Sequence, residues 1–304
     1  MGNTVGKREN FDVIIIGAGT AGLSAAVYAA RASRKVLVLE ESAYGGQIVY
    51  SPEVENYPGI SHVSGFQFAS GLYGQAAGAG AEIRFEKASG IEILKEDEGH
   101  KIVLTDKTSY KTKSVIIATG SRSRRMGLDG EEKLTGAGIS YCATCDGAFF
   151  KERTVAVLGG GNTALEEAVY LSGLCRKVYI IHRRNEFRAE QKLVEQLRQK
   201  KNIEYLLNCS VTALNGAEKL ESVELSDGRV IEAAALFVAI GREPQNDICK
   251  GLLELDEYGY IIAGEDCRTS VKGIFAAGDC RTKQVRQLVT AASDGAVAAL
   301  AAIV

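Results

Sequence analysis

Long apolar runs, net charge and clustered metal ligands are all scarce in this chain, and each shortage removes a class of function. No stretch reaches the roughly 20 apolar residues that cross a bilayer, and the apolar run Val13–Ile16 ends at Gly17. No long apolar segment with a cleavage site opens the N-terminus, so no secretory signal is expected. The net charge of −2 supplies no global field for nucleic acid or an anionic membrane. The densest basic spot in the first half, Arg122, Arg124 and Arg125, reads as a solvated loop. The three histidines, His62, His100 and His182, are scattered, and there is a single Cys-x-x-Cys. A tetrahedral zinc site needs four ligands, so that reading loses its ligand set. Of the seven cysteines, Cys175, Cys209, Cys249, Cys267 and Cys280 stand singly. This is not a secreted disulfide framework, and it fits a reducing cytoplasm.

What is present is a repeat. The 304 residues suggest two domains, and 46% hydrophobic with 24% charged residues is ordinary for a soluble globular protein. Asp12–Gly22 and Thr154–Ala164 read alike when slid by 142 positions, and the match continues from Ala26-Val27-Tyr28 to Ala168-Val169-Tyr170 and from Arg34-Lys35-Val36 to Arg176-Lys177-Val178. Each copy is an apolar strand, a glycine turn, a small-residue helix, a basic break and a second strand, which is a βαβ unit. In the first copy Gly17 permits the tight turn, Gly19 lets backbone N–H groups approach a pyrophosphate, and Gly22 lets the helix pack close, with Thr20 and Ala21 between. Gly159, Gly161 and Ala164 do the same in the second, with Asn162 and Thr163 between. The uncapped helix N-terminus offers N–H groups and positive dipole to the phosphates. The repeated strand–turn–helix context makes these dinucleotide fingerprints rather than chance glycines.

The copies differ where nucleotides are told apart. Glu40 stands 23 positions after Gly17, where a carboxylate accepts from both hydroxyls of an adenosine ribose. The same offset from Gly159 reaches His182, followed by Arg183, Arg184 and Arg188. Guanidinium forks match a 2′-phosphate that a carboxylate would repel. Site one therefore reads as a nucleotide without a 2′-phosphate and site two as NADP(H). The bland alternative for the arginines is a solvated helix start. His182 either stacks on adenine or caps the strand.

Ser114–Gly120 and Ala235–Gly241 are apolar runs ending in glycine that return the chain to each sheet. Ala118, Thr119 and Gly120 in one, and Ile240 and Gly241 in the other, join the expected cofactor-binding residues. Gly273–Asp279 is a further short strand ending in Gly278-Asp279, and Leu288–Ala302 is helix-like. The expected fold is α/β with two Rossmann-like nucleotide-binding domains, the second inserted into the first. The first takes residues 1–121 and 250–304, and the second takes 122–249. Segments 82–116 and 203–237 alternate enough to be antiparallel strands.

Cys142-Ala-Thr-Cys145-Asp146 carries the chemistry. Two cysteines at this spacing beside a βαβ unit in a cytosolic protein read as a redox pair; half a zinc site and an inert thiol pair are the rivals. Thiol–disulfide exchange needs a thiolate to attack and a proton for the leaving sulfur. Asp146 is placed to carry that proton if burial raises its pKa; alternatively it is a turn residue favoured by Asp146-Gly147.

In order along the chain, Gly17–Gly22, Gly45-Gly46-Gln47, Glu55–Gly59, Cys142–Asp146, Gly159–Ala164, His182–Arg188, Gly278-Asp279 and Arg286-Gln287 resemble the bacterial-type low-molecular-weight thioredoxin reductases over almost the whole length. The resemblance implies that the first nucleotide is FAD, the second NADPH, and the assembly a homodimer. It implies that Gly45, Gly46, Gln47 and Asn56 help hold the flavin, that Asp279 binds its ribityl-pyrophosphate region, and that Arg286 and Gln287 line the isoalloxazine. It makes Cys145 the flavin-facing sulfur and Cys142 the one that attacks thioredoxin, and it offers Phe149 or Phe150 as partner contacts, against a reading of both as core aromatics. It also implies that the inserted domain rotates between two poses, with Gly120 and Gly241 as candidate pivots. The chain departs from its relatives in ending early, at Val304, and in lacking an N-terminal Cys-x-x-Cys extension.

The expected activity is therefore hydride transfer from NADPH to FAD, then reduction of the Cys142–Cys145 disulfide, then of thioredoxin. Rival readings keep the chemistry with a glutaredoxin-like or peroxiredoxin-associated partner, take electrons from ferredoxin, reduce ferredoxin on the same scaffold, or make the chain a non-enzymatic redox sensor. The arginines argue against a ferredoxin donor. The cysteine pair argues against a ferredoxin reductase, which has no need of it.

Overall fold

The apolar repeats fold as parallel strands. The computed structural model describes residues 9–51, 53–94 and 99–304. These divide into two compact units, Met1–Arg122 with Glu243–Val304, and Ser123–Arg242. Each unit is built on one βαβ repeat.

In the first unit, Glu9–Ile16 is flanked in parallel by Val36–Glu40 and Ser109–Ile117. Glu82–Phe85 extends the sheet beyond Val36–Glu40. On the other side, Ser109–Ile117 serves two neighbours. Its first half pairs antiparallel with Lys101–Thr105, which continues to Ala88–Ile93, and its last residues pair in parallel with Ile274–Ala276. Both sheet faces are covered, so the strands read as unbroken apolar runs. Val13, Ile15, Val36, Val38 and Ile116 pack on one face with Leu23 and Ala26 of helix Thr20–Arg31 and Ala298 of helix Leu288–Ile303. Ile14, Ile16, Leu37, Leu39, Val115 and Ile117 pack on the other. The two helices touch closely at Gly295, where a Cβ would lie 2.2 Å from the Ala21 carbonyl oxygen.

The second unit repeats the plan with Ile203–Leu207, Lys177–His182, Thr154–Leu158, Ala235–Val238 and Ile139–Ser140 side by side, all parallel. Val211–Asn215, Ser222–Leu225 and Val230–Glu232 form a separate antiparallel sheet.

Two expectations need correction. Segments 82–116 and 203–237 are not uniformly antiparallel. Glu82–Phe85 follows helix Gly65–Gly78, and Ile203–Leu207 follows helix Gln191–Arg198. A helical crossover returns the chain in the same direction, and only hairpin connections reverse it. Alternation reports which residues face the core, not which way the neighbour runs. The second domain crossing, expected at 249/250, falls at 242/243. Residues 243–249 stay with the first unit because the Gln245 N–H donates to the Gly120 carbonyl (3.1 Å). In addition, the buried Asn246 donates to the carbonyls of Gly259 (2.9 Å) and Cys280 (2.7 Å).

Candidate active site

The first glycine turn is shaped by backbone, not by side chains. Gly17 has φ +104°, and a Cβ there would lie 2.4 Å from the Ala118 carbonyl oxygen. A Cβ on Gly22 would lie 1.9 Å from the Gly17 oxygen, whereas Gly19 faces open space. Gly19 starts helix Thr20–Arg31 without a side-chain cap, so the first-turn N–H groups are left for an anion. Two distant segments converge on this turn. The Gly45 N–H donates to the Ala18 carbonyl (2.7 Å), a Cβ on Gly46 would touch Gly19 Cα at 3.4 Å, and one on Gly278 would touch Ala21 Cβ at 2.8 Å. Glu40 ends its strand with Oε2 accepting from Ala18 N–H (2.8 Å) and Oε1 from Ser42 N–H (3.1 Å). The carboxylate is thereby fixed at the strand end, each oxygen keeping a lone pair.

Around this cradle, the Gln47 amide donates to the Ser121 carbonyl and Asn56 Nδ2 donates to Gln287 Oε1 (3.4 Å). Gln287 also accepts from the Thr290 N–H in a reciprocal cap that starts helix Leu288–Ile303. The Thr119 hydroxyl donates to Asn246 Oδ1 (3.1 Å), and Gly120 has φ +71°. Arg286 lies with its guanidinium over the Tyr260 ring, 4.3 Å from the centroid. Gly278-Asp279 is held by a cluster the sequence analysis missed. Asp294 accepts from the Gly278 N–H (2.8 Å), from Arg281 Nε and Nη2 (2.8 Å each) and from Lys283 Nζ (2.9 Å). Its one available signal was that Asp294 is the sole charge in the small-residue helix Leu288–Ile303.

The second turn repeats the first with its own lock. Gly159 has φ +154°, and a Cβ there would meet the Ala239 oxygen at 2.3 Å and Ala164 Cβ at 2.7 Å. Gly161 is open and begins helix Asn162–Ser172 without a side-chain cap. Gly160 was not singled out from the sequence, yet a Cβ there would sit 2.3 Å from the His182 ring. His182 is buried, stacks on Phe187 with centroids 5.7 Å apart, and its Nε2 meets the Glu186 carbonyl at 3.1 Å. Burial, with Arg184, Arg183 and Arg188 nearby, holds its pKa below the ordinary value. Arg188 N–H donates to the Gly160 carbonyl (2.7 Å), and Asn162 and Glu190 exchange hydrogen bonds at 3.0 and 2.9 Å. These contacts fold the segment after His182 back onto the glycine turn. Arg183, Arg184 and Arg188 are exposed there, and among the described residues none of the three forms a salt bridge. Thr163 is exposed, Ile240 is half-buried, and Gly241 has φ +112° and accepts from the Arg124 N–H (3.0 Å).

Cys142 and Cys145 are joined in a disulfide with Cα atoms 5.3 Å apart. Cys142 precedes the short helix Ala143–Asp146, and its carbonyl accepts from Cys145 N–H (3.2 Å) and Asp146 N–H (3.1 Å). Cys145 is exposed and Cys142 half-buried. Asp146 Oδ2 accepts from the Ser140 hydroxyl (2.6 Å), which itself accepts from the Cys142 N–H (3.1 Å). Burial raises the Asp146 carboxyl above the ordinary range, and the Ser140 hydrogen bond offsets part of this. The carboxyl is therefore linked through one hydroxyl to the backbone of the redox turn. Of the two neighbouring aromatics, Phe150 packs edge-on against Phe237 (5.9 Å) in the core, while Phe149 is exposed. The five single cysteines are all buried. Burial pushes the thiols of Cys175 and Cys280 up to about 11 and those of Cys249 and Cys267 up to about 12, which makes them poor nucleophiles.

Comparisons with known proteins agree with this geometry. The family profile for pyridine nucleotide-disulphide oxidoreductases matches residues 11–295. A thioredoxin reductase of Treponema pallidum (strain Nichols) is 45% identical over 304 residues, covering 97% of each chain. One from Peptoclostridium acidaminophilum is 42% identical over 301 residues, covering 95% of each. The crystal structure of thioredoxin reductase from Streptococcus pyogenes MGAS5005 superposes with a TM-score of 0.91 at 38% identity, covering 97% of each chain. The two glycine cradles, the disulfide turn and these full-length matches lead to one conclusion: the chain belongs to the pyridine nucleotide-disulphide oxidoreductase family.

Proposed function

We propose that this chain is an NADPH-dependent thioredoxin-disulfide reductase that uses FAD and the Cys142–Cys145 disulfide. The observation that carries the reading is the disulfide turn. It is formed, partly exposed, and followed by a half-buried carboxyl, in the same compact unit as a glycine cradle flanked by three exposed arginines. Thioredoxin reductases at 42–45% identity over 95–97% of this chain support the choice of partner.

The residues fit both cofactors. For FAD, Gly17, Gly19, Gly45, Gly46 and Gly278 leave a cradle that side chains would fill or strain, Thr20, Ala21 and Gly22 begin the uncapped helix, and Glu40 would hold the ribose. Gln47, Asn56, Ala118, Thr119, Gly120, Asp279, Arg286 and Gln287 complete the surround. For NADPH, Gly159, Gly161, Asn162, Thr163 and Ala164 would take the pyrophosphate, Arg183, Arg184 and Arg188 would take the 2′-phosphate, and Ile240 and Gly241 would border the site. His182, wedged between Gly160 and Phe187, shapes the turn that presents the arginines. When bound, the two cofactors supply hydride transfer and two-electron chemistry, which no side chain here provides.

The chain's own residues perform the exchange with the partner. In the reduced pair, the Cys142 thiolate attacks one sulfur of the thioredoxin disulfide, forming a mixed disulfide and expelling the other sulfur. Cys145 then attacks Cys142, restores the internal disulfide and releases dithiol thioredoxin. Asp146, whose carboxyl burial raises above the ordinary range, gives a proton to a departing sulfur and takes one from an attacking thiol. The reading extends to a homodimer in the cytoplasm, a compartment compatible with five reduced, buried thiols. Sedimentation of the full chain tests the dimer. No helix among the described residues is long and apolar enough to cross a membrane.

The test is NADPH consumption by the FAD-loaded protein on adding oxidised bacterial-type thioredoxin, with Cys142→Ser alongside. Thioredoxin-dependent oxidation lost in the variant is expected. Flavin reduction that then stalls would leave the nucleotide sites standing and refute the partner, and a flavin that stays oxidised would refute the NADPH assignment.

A further inference from the structure

A second carboxyl, besides Asp146, touches the redox turn. Glu167, on helix Asn162–Ser172, accepts the Ala143 N–H through Oε1 at 3.2 Å. Cys142 provides no side-chain cap for the helix that carries the pair, so Glu167 supplies the cap from a neighbouring element. Its other oxygen, Oε2, is buried with no hydrogen-bond partner among the described residues. A buried carboxylate oxygen left unpaired is costly, and its natural remedy is a proton.

We propose that Glu167 positions the redox turn through Ala143 and accepts one of the two protons taken up when the Cys142–Cys145 disulfide is reduced, so that one sulfur remains a thiolate. The proposal rests on the reading of Cys142–Cys145 as the working disulfide. Reduction breaks the S–S bond with two electrons, supplied by the reductant. One proton goes to a sulfur and one to Glu167 Oε2, which leaves a thiol, a thiolate and a neutral carboxyl. The turn thus keeps its charge balanced while retaining the nucleophile that attacks the partner.

The surroundings of Glu167 favour this exchange. Burial raises its carboxyl above the ordinary range. The Ala143 hydrogen bond and Arg242 act against that rise, while Asp146 on the redox helix and Glu166 on its own helix add to it. A thiolate formed in the same turn is a further negative neighbour and favours the protonated acid.

The measurement is the midpoint potential of the pair against pH in the full-length, FAD-loaded protein. Samples are equilibrated in dithiothreitol redox buffers, acid-quenched and labelled with a maleimide mass tag. The wild type takes up two protons per two electrons across neutral pH. Glu167→Gln is expected to take up one, so the slope falls by a tenfold change in equilibrium constant per pH unit, about 30 mV. Glu167→Asp, which keeps a carboxyl, is expected to restore the steeper slope. Equal slopes for the wild type and Glu167→Gln would overturn the proposal.

A second measurement needs no variant at Glu167. Reduction of the Asp146→Asn protein is expected to give an infrared difference band of a newly protonated carboxyl, and its absence would also overturn the proposal. Neither experiment contains thioredoxin, so a failure here is distinct from a failure of the partner assignment. A pair that dithiothreitol cannot reduce would refute the redox reading itself.

Discussion

Asp294→Asn is expected to be the costliest single change in the first unit outside the hydrophobic core. Asp294 is 5% exposed, Arg281 is 2% exposed and the Lys283 side chain 6%. One carboxylate receives two hydrogen bonds from Arg281 (2.8 Å each), one from Lys283 (2.9 Å) and one from the Gly278 N–H (2.8 Å). An asparagine keeps the volume but removes the charge and turns an N–H₂ toward two cations. Removing one partner of a buried ion pair costs about 3–5 kcal/mol, because the remaining charge has no water to return to. That is roughly a hundred-fold to several-thousand-fold in the folded-to-unfolded ratio at 1.4 kcal/mol per tenfold.

Equilibrium urea unfolding of the apoprotein measures this cost, and FAD titration of the still-folded variant should show weakened binding because the Gly278-Asp279 turn loses its tether. The pH dependence follows from the same group. Burial alone raises the Asp294 carboxyl, but the hydrogen bonds from Arg281, Lys283 and Gly278 outweigh this and hold it below the ordinary range. Its contribution is therefore complete above the unfolded pKa of about 3.9 and is lost as pH falls through the lowered folded value. The variant and wild type should converge in stability in strong acid. A destabilisation under about 1 kcal/mol at neutral pH, the range of an exposed pair, would refute the reasoning.

Two further outcomes are expected. Asp146→Asn should slow thioredoxin reduction by about 10²–10⁴-fold, the usual worth of a positioned acid–base group, and remove the alkaline fall in rate that deprotonation of a raised carboxyl gives the wild type; an unchanged pH–rate profile would reduce Asp146 to a turn residue. Arg183→Ala with Arg184→Ala should weaken NADPH by about 1.5–3 kcal/mol per lost charged hydrogen bond and leave NADH nearly unaffected, measured by KM for each coenzyme; equal losses would make the arginines structural.

Some features were settled by the order of residues alone. The two strand–glycine–helix units were legible because a tight turn, a close backbone approach and close helix packing each demand a small residue at a fixed offset, and Gly17, Gly22 and Gly159 meet backbone oxygens wherever a Cβ would be added. The Cys142–Cys145 spacing was legible because three positions along one turn bring two Cα atoms to 5.3 Å. Other features belong to the tertiary structure. The direction of Glu82–Phe85 and Ile203–Leu207 depends on the helices that precede them. The role of Asn246 depends on Gly259 and Cys280 reaching it. Glu167 became visible only when helix Asn162–Ser172 packed against the redox turn, because a carboxylate 22 positions after Cys145 carries no local pattern that names its partner. Local spacing is written in sequence because it is a property of consecutive backbone atoms. The burial and long-range hydrogen bonds that tune Asp146, Glu167 and Asp294 arise only when distant segments exclude water together.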